Sequence, residues 1–155
     1  MALSDTLTVW APRLLSVTRA MAGLLYLQHG LQKLFVFPGP MPPPPGAPPP
    51  PGGGMGPPQA AELLSFMGMT GCLELVGGLL LVVGLFTRPV AFILSGMMAV
   101  AYFMVHAPKG FYPILNGGDL AILFCFFFLY LFFAGGGVWS LDAMMARRKA
   151  EAAAG

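Results

Sequence analysis

A small set of ionisable and hydrogen-bonding side chains interrupts the long apolar stretches of this sequence. An imidazole titrates near neutral pH, so it can exchange protons under ordinary conditions. A carboxyl group surrounded by hydrocarbon is costly, so it is treated first as a functional group. The candidates for ligand binding or proton handling are therefore His29, Lys33, Glu74, Tyr102, His106, Asn116 and Asp119. Which residues, if any, act in catalysis stays unknown from the sequence.

The cysteines carry no sign of a metal or dithiol site. The chain has two, Cys72 and Cys125, each inside an apolar run and without CxxC or paired Cys/His spacing. We expect both to be buried thiols that behave as small hydrophobic residues. We therefore expect no metal and no intrinsic cofactor.

Helical periodicity gathers the polar residues on one face of each apolar segment. At 3.6 residues per turn, small and polar residues recur every three or four positions. Such faces are expected to meet in the interior of a helix bundle, because lipid does not solvate them. On the first two segments these residues are Arg19, Ala22, Gly23, Tyr26, His29, Gly30 and Lys33, followed by Met67, Thr70, Gly71, Glu74, Gly77 and Gly78. On the last two they are Ala91, Ser95, Ala99, Tyr102 and His106, followed by Asn116, Asp119, Leu123, Phe126 and Tyr130.

Depth along the helices separates the interior groups into two layers. At about 1.5 Å per residue, Glu74 lies about 20 Å and Arg19 about 27 Å from the outer surface. We expect Arg19 and Glu74 to form a structural ion pair, or Glu74 to handle protons or a ligand. His29 and the remaining candidates form a layer nearer the outer surface, where His29 is either a proton donor and acceptor or an interfacial residue. Lys33 is a ligand candidate or an anchor at a helix end.

The composition requires these helices to lie in a membrane. The chain has 155 residues, of which 57% are hydrophobic and 9% charged, with a mean hydropathy of +0.77. Soluble domains carry about a quarter charged residues. We predict an all-α membrane protein, a four-transmembrane-helix bundle that forms a single domain over residues 1–155. The predicted helices are at residues 12–37, 61–86, 89–106 and 116–134, with Pro12 and Pro89 in first turns.

Loops and flanking charges predict how the bundle is oriented. Residues 38–58 are rich in proline and glycine, which favours an exposed exterior loop. Basic residues cluster at the other side, so we predict cytoplasmic N- and C-termini and a cytoplasmic tail at residues 144–155. They are Arg13, Arg88, Arg147, Arg148 and Lys149, against Lys33 and Lys109 outside. Nucleic-acid binding has no support from so few cations.

Four sequence motifs resemble the DoxX family over nearly the whole chain apart from the proline-rich loop and the final dozen residues. They are LQHGLQKLF at 27–35, LELVGGLLLVVGLFTRP at 73–89, AYFMVHAPKGFYPILNGGDLA at 101–121 and WSLDA at 139–143. The resemblance implies a multi-pass, four-helix protein of the bacterial inner membrane. It also implies small membrane subunits associated with quinol oxidases and thiosulfate:quinone oxidoreductases, with relatives linked to oxidative-stress complexes.

The resemblance also carries over to particular positions and marks two departures. This chain has Met97 and Asp119 where close relatives often have Glu. Met97 falls off the polar face derived above, so the missing acid weakens any scheme that uses this position but does not affect the predicted bundle. The motif positions present are His29, Lys33, Glu74, Arg88, His106, Asn116 and Asp119.

Together these observations favour a membrane-embedded subunit of a respiratory or redox-defence system that presents a quinone-binding pocket. His29 would hydrogen-bond one quinone oxygen, and Asp119 or Glu74 would relay protons. The expected partners are the lipid bilayer and a membrane or peripheral oxidoreductase that supplies electrons, with homo-oligomer formation left open. Two alternatives remain: a non-enzymatic membrane adaptor or assembly factor with a structural polar core, and a small-solute or proton conduit.

Overall fold

The computed structural model describes residues 3–39 and 60–155, and within them every regular element is a helix. Most of the proline-rich loop expected at residues 38–58 lies outside the described residues. The chain continues from α3 through a π-helical turn, Tyr102–His106, and a short 3₁₀ turn, Ala107–Lys109. The helices are α1 (Leu3–Phe35), α2 (Phe66–Val83), α3 (Thr87–Ala101), α4 (Pro113–Asn116), α5 (Asp119–Ala134) and α6 (Leu141–Ala154).

Two of these elements are long and apolar enough to cross a membrane. They are Phe66–Val83 and Thr87–Lys109, and α5 is a shorter apolar helix. Large hydrophobic side chains such as Leu79, Phe92 and Phe126 point outward and are more than half exposed. An outer surface of this kind is suited to contact with lipid rather than water.

Glycines bring the backbones of α1 and α2 into direct contact. A methyl group on Gly30 would lie 2.5 Å from the backbone nitrogen of Leu75, and one on Gly23 would lie 2.8 Å from the carbonyl oxygen of Gly78. Small residues at such positions allow close helix packing without a hydrophobic driving force. The contacts fix an antiparallel register, in which Gly30 lies opposite Gly71 and Gly23 lies opposite Gly78.

The second half of the chain packs on this pair through apolar side chains. Tyr26 of α1, Leu81 of α2, Leu94 of α3 and Phe128 of α5 meet in the core and are at most 1% exposed. Leu94 fills the space over Gly77, where an added methyl would lie 2.9 Å from it. The core therefore joins four helices from both halves of the chain.

Arg19 closes the end of the structure at which α2 joins α3 and α5 joins α6, here called the α2–α3 end. Its guanidinium donates to the carbonyl oxygens of Val82 at 3.0 Å, Gly136 at 2.9 Å and Trp139 at 2.8 Å, and also to that of Leu81. The last carbonyls of an α-helix have no partner within the helix. Arg19 supplies donors to the end of α2 and to the turn between α5 and α6.

Asp142 accepts hydrogen bonds from backbone amides at the start of α3, whereas Arg19 donates to carbonyl oxygens. Its carboxylate accepts hydrogen bonds from the amides of Phe86 and Thr87, each at 2.8 Å. These amides lie at the start of α3, where helix N–H groups lack partners and a negative charge is favoured. Asp142 was not identified from the sequence, where its place in the WSLDA motif was the only signal for it.

The boundaries differ from the predicted ones at both termini. α1 starts at Leu3 and carries Pro12 in its interior, whereas we expected Pro12 in the first turn. A proline costs a helix one hydrogen bond, and the long helix tolerates that loss. Part of the tail expected at residues 144–155 belongs to α6, whose first turn is capped by Ser140 accepting from the amide of Ala143 at 3.1 Å.

Candidate functional site

A cavity of about 390 Å³ opens among α1, α2, the end of α3 and the start of α5. Its volume lies within the range of small-molecule sites. The apolar part of the wall comes from Phe66, Met67, Met97, Met98, Ala101, Val105, Leu120, Ala121 and Phe124. The polar side chains in the wall are Tyr26, His29, Lys33, Thr70, Glu74 and His106. A mostly apolar slot with a few convergent polar groups is the usual character of a binding site.

Lys33 and Glu74 form an ion pair in this wall. The Nζ atom of Lys33 lies 2.6 Å from Oε1 of Glu74, and their side chains are 17% and 5% exposed. Lys33 also approaches the hydroxyl of Thr70 at 3.4 Å. The pair joins α1 to α2 in a region almost closed to solvent.

The expected ion pair between Arg19 and Glu74 does not form. The glycine contacts place Gly30 of α1 beside Leu75, so Glu74 lies near the level of Gly30. Arg19 is then about 16 Å away along the helix axis, at about 1.5 Å per residue. Its side chain reaches the backbone carbonyls at the α2–α3 end instead, and Glu74 takes Lys33 as its partner.

Two buried polar atoms of the cavity wall have no hydrogen-bond partner among residues 3–39 and 60–155. They are the hydroxyl of Tyr26 and the Oε2 atom of Glu74. Tyr26 is 1% and Glu74 4% exposed. The ring of Tyr26 is held between Phe124 at 5.7 Å and Phe128 at 5.0 Å, so its hydroxyl cannot easily turn elsewhere. Buried polar groups nearly always find partners, and a ligand in the cavity would supply them.

The two histidines approach the cavity from different helices. His29 is exposed and packs edge-on near Tyr26, with ring centroids 6.5 Å apart. The Nδ1 atom of His106 lies 3.1 Å from the carbonyl oxygen of Asn116. A carbonyl only accepts, so this contact requires a proton on Nδ1 and leaves Nε2 of a neutral imidazole as an acceptor. The π-helical turn Tyr102–His106 carries this ring, and such turns are frequent at functional sites.

Three of the predicted site residues lie outside the cavity wall. Tyr102 stacks on His106, with ring centroids 6.3 Å apart, and therefore supports that ring. Asn116 is buried and closes its loop by donating to the carbonyl oxygen of Gly110 and accepting from the amide of Gly118, each at 2.8 Å. Asp119 is exposed at the start of α5. The structure brings His29, Lys33, Glu74 and His106 together in the cavity.

Some residues of the site were missed or misplaced by the sequence reasoning. Tyr26 and Thr70 were assigned to the polar faces but not to the site, although Tyr26 is one turn from His29. Met97 lies off the polar face predicted for α3, yet it lines the cavity, because the stripe of α3 and its π-helical turn that meets the cavity runs through Met97, Met98, Ala101 and Val105. At the other end of the structure, Arg88 donates to the carbonyl oxygens at the end of α5.

Among the described residues, no three His, Cys, Asp or Glu side chains gather into a group that could hold a metal ion. The polar groups of the cavity are instead a phenol, an amine, imidazoles and a carboxylate. Those groups match a ligand that both accepts and donates hydrogen bonds through oxygen atoms.

Comparison with known proteins identifies a family and a relative of this chain. The family model described as DoxX matches residues 14–107. An uncharacterised protein of Haemophilus influenzae is 40% identical over 141 residues, which cover 89% of this chain and 95% of that protein. No solved structure matches the chain.

Proposed function

This chain belongs to the DoxX family, and we propose on that basis that it is a multi-pass subunit of the bacterial inner membrane that binds a quinone for a partner oxidoreductase. The ligand site is the cavity between α1, α2, α3 and α5. The partner supplies two electrons for each quinone reduced, and two protons complete the quinol. The same steps run backwards when the partner oxidises quinol.

The unpartnered hydroxyl of Tyr26 and Oε2 of Glu74 carry this proposal. A quinone oxygen accepts a hydrogen bond from the phenol, and a quinol hydroxyl donates one to the carboxylate. Lys33 holds the other carboxylate oxygen at 2.6 Å, so Glu74 is fixed with Oε2 available. His29 and His106 are the remaining groups of the wall that can donate or accept a hydrogen bond through a ring nitrogen.

The apolar wall favours a lipid-soluble ligand. Phe66, Met67 and Phe124 flank the polar groups, and thioethers with aromatic rings adapt to flat ring systems. A quinone combines such a ring with two oxygen atoms, which is the pattern of the wall. Free passage of a small charged solute would need more polar lining than these residues offer.

We further propose four membrane-spanning helices with both termini in the cytoplasm. Three of the spans are α2, Thr87–Lys109 and α5. The fourth is α1, which has 33 residues, is about 50 Å long and exceeds the thickness of a bilayer. The basic residues at the α2–α3 end and on α6 support a cytoplasmic assignment for that end.

A membrane adaptor with a structural polar core is the second candidate, and the Lys33–Glu74 ion pair favours it because that pair joins two helices. Substituting Glu74 cannot separate the candidates, since the variant loses both the ion pair and the ligand contact. Tyr26→Phe separates them. The hydroxyl that this substitution removes has no hydrogen-bond partner in the part of the chain that the structure describes, so an adaptor should keep its stability.

The test measures thermal unfolding of the purified full chain in nanodiscs against the concentration of a short-chain ubiquinone analogue. At 100 times its dissociation constant a ligand stabilises the folded state by about 2.7 kcal/mol. We expect Tyr26→Phe to unfold at the unliganded temperature of the parent and to bind the quinone about 2–10-fold more weakly. Tyr130→Phe, on an exposed part of α5, is the matched control and should bind as the parent does. No quinone-dependent stabilisation of the parent would refute the quinone proposal.

A further inference from the structure

A second pocket lies at the α2–α3 end, far from the quinone cavity. It has a volume of about 380 Å³ and is formed by the first part of α1, the turn after α5 and α6. Along α1, Arg13 in this pocket is about 24 Å from His29 in the cavity. The wall of the second pocket consists of Val9, Pro12, Arg13, Val138, Trp139 and Arg147. The pocket therefore holds two guanidinium groups and no carboxylate.

Among the described residues, the wall of this pocket contains the guanidinium groups of Arg13 and Arg147 and no carboxylate. Arg13 donates to the carbonyl oxygen of Val9 at 3.1 Å. Arg147 donates to the carbonyl oxygens of Val138 at 2.9 Å and Ala143 at 3.3 Å. Since each guanidinium has five N–H donors, both retain donors for an anion.

Asp142, the acidic residue that precedes Arg147 on α6, already accepts hydrogen bonds from backbone amides. Asp142 receives the amides of Phe86 and Thr87, each at 2.8 Å, and faces α3. Glu151, one turn beyond Arg147 on α6, is exposed and outside ion-pair distance. The wall of the pocket therefore presents two positive charges to a ligand that enters it.

The depth of the pocket corresponds to the headgroup region of a bilayer. Arg19 binds the carbonyls that end α2, and Arg13 lies about 9 Å further along α1. Both tryptophans of the chain are here and more than half exposed: Trp139 lines the pocket, and the Arg13 guanidinium lies 5.2 Å from the ring centre of Trp10. Tryptophan is enriched at membrane–water interfaces.

We propose that this pocket binds the phosphate group of an anionic phospholipid from the leaflet at the α2–α3 end. Arg13 and Arg147 bind the phosphate oxygens through paired N–H groups, an arrangement that gives strong and geometrically specific contacts. The ring of Trp139 packs against the glycerol region of the lipid. The site is independent of the quinone proposal, because it shares no residue with that cavity.

The experiment uses Trp139 as a reporter of the lipid beside it. The full-length chain carrying Trp10→Phe is reconstituted into phosphatidylcholine vesicles that contain either dibrominated phosphatidylglycerol or dibrominated phosphatidylcholine, both of which quench tryptophan. Near a membrane surface each arginine contributes enough attraction to an anionic lipid for about fivefold tighter binding. Since two arginines contribute, we expect brominated phosphatidylglycerol to quench at about one twenty-fifth of the mole fraction needed for brominated phosphatidylcholine.

Paired variants distinguish a built site from general attraction. Arg13→Gln with Arg147→Gln should remove the preference for phosphatidylglycerol. Arg148→Gln with Lys149→Gln removes the same charge from exposed positions of α6 outside the pocket and should retain it. Equal loss in both pairs would overturn the proposal. So would equal quenching by the two lipids in the Trp10→Phe protein, which is decisive even where a variant fails to fold.

A last arm separates lipid from free phosphate. Inorganic phosphate at millimolar concentration should leave the quenching by brominated phosphatidylglycerol unchanged, because a lipid held in the bilayer is present at high local concentration. Protection by inorganic phosphate that is lost in the Arg13→Gln and Arg147→Gln protein would overturn the lipid assignment in favour of a soluble anion.

Discussion

The ion pair between Lys33 and Glu74 should be energetically asymmetric. Lys33→Met leaves Glu74, whose side chain is 5% exposed, without a partner for either oxygen. Glu74→Gln leaves the ammonium of Lys33, whose side chain is 17% exposed and can extend toward solvent. Loss of one partner of a buried pair costs about 3–5 kcal/mol. We expect about 3 kcal/mol for Lys33→Met and about 1 kcal/mol for Glu74→Gln, the lower value reflecting the partial exposure of Lys33.

A double-mutant cycle measures the interaction itself. The free energy of unfolding is obtained for the parent, both single variants and the double variant by titrating dodecyl sulfate into protein in mild detergent and following helicity by circular dichroism. In the double variant no charge is stranded, so the losses should be less than additive by about 1–3 kcal/mol. A loss of 3 kcal/mol corresponds to a melting temperature lower by about 6–12 °C for a chain of this size.

Arg19 supplies the control for this cycle. It is cationic like Lys33, but it is fully buried and binds backbone carbonyls at the α2–α3 end. Arg19→Gln should therefore destabilise the protein strongly and additively with Glu74→Gln. Coupling of Glu74 to Arg19, with none to Lys33, would refute the helix register on which this reasoning depends.

Two further predictions concern packing and topology. Gly30→Ala should lower the free energy of unfolding by about 1–3 kcal/mol, because its methyl group would lie 2.5 Å from the Leu75 nitrogen. The control is Gly96→Ala, which has open space around it and should be neutral or stabilising by up to about 1 kcal/mol. Equal losses of stability for the two variants in a denaturant titration would contradict the close contact of α1 and α2. Reporter fusions after Gly52 and after the C-terminus should report the exterior and the cytoplasm respectively, and a result with both on one side would rule out four spans.

The sequence was sufficient for the helical class, for the family and for which faces of the helices carry polar residues. The reason is local: hydrophobicity, proline and glycine placement and a period of 3.6 residues act within one helix. Residues such as His29, Lys33 and Glu74 could be selected in this way, because a charged group in an apolar run stands out whatever surrounds it.

The partners of those residues were decided only by the tertiary structure. Depth counted from helix ends placed Glu74 within reach of Arg19, whereas the contacts of Gly23 and Gly30 with α2 shift the helices so that Lys33 lies beside Glu74. When one helix slides along its neighbour by a few residues, its side chains move by several ångströms. The sequence of either helix alone does not determine how far the two helices are shifted. The same holds for Met97 in the cavity wall and for the pairing of Arg13 with Arg147, since helices distant in sequence meet there only through packing.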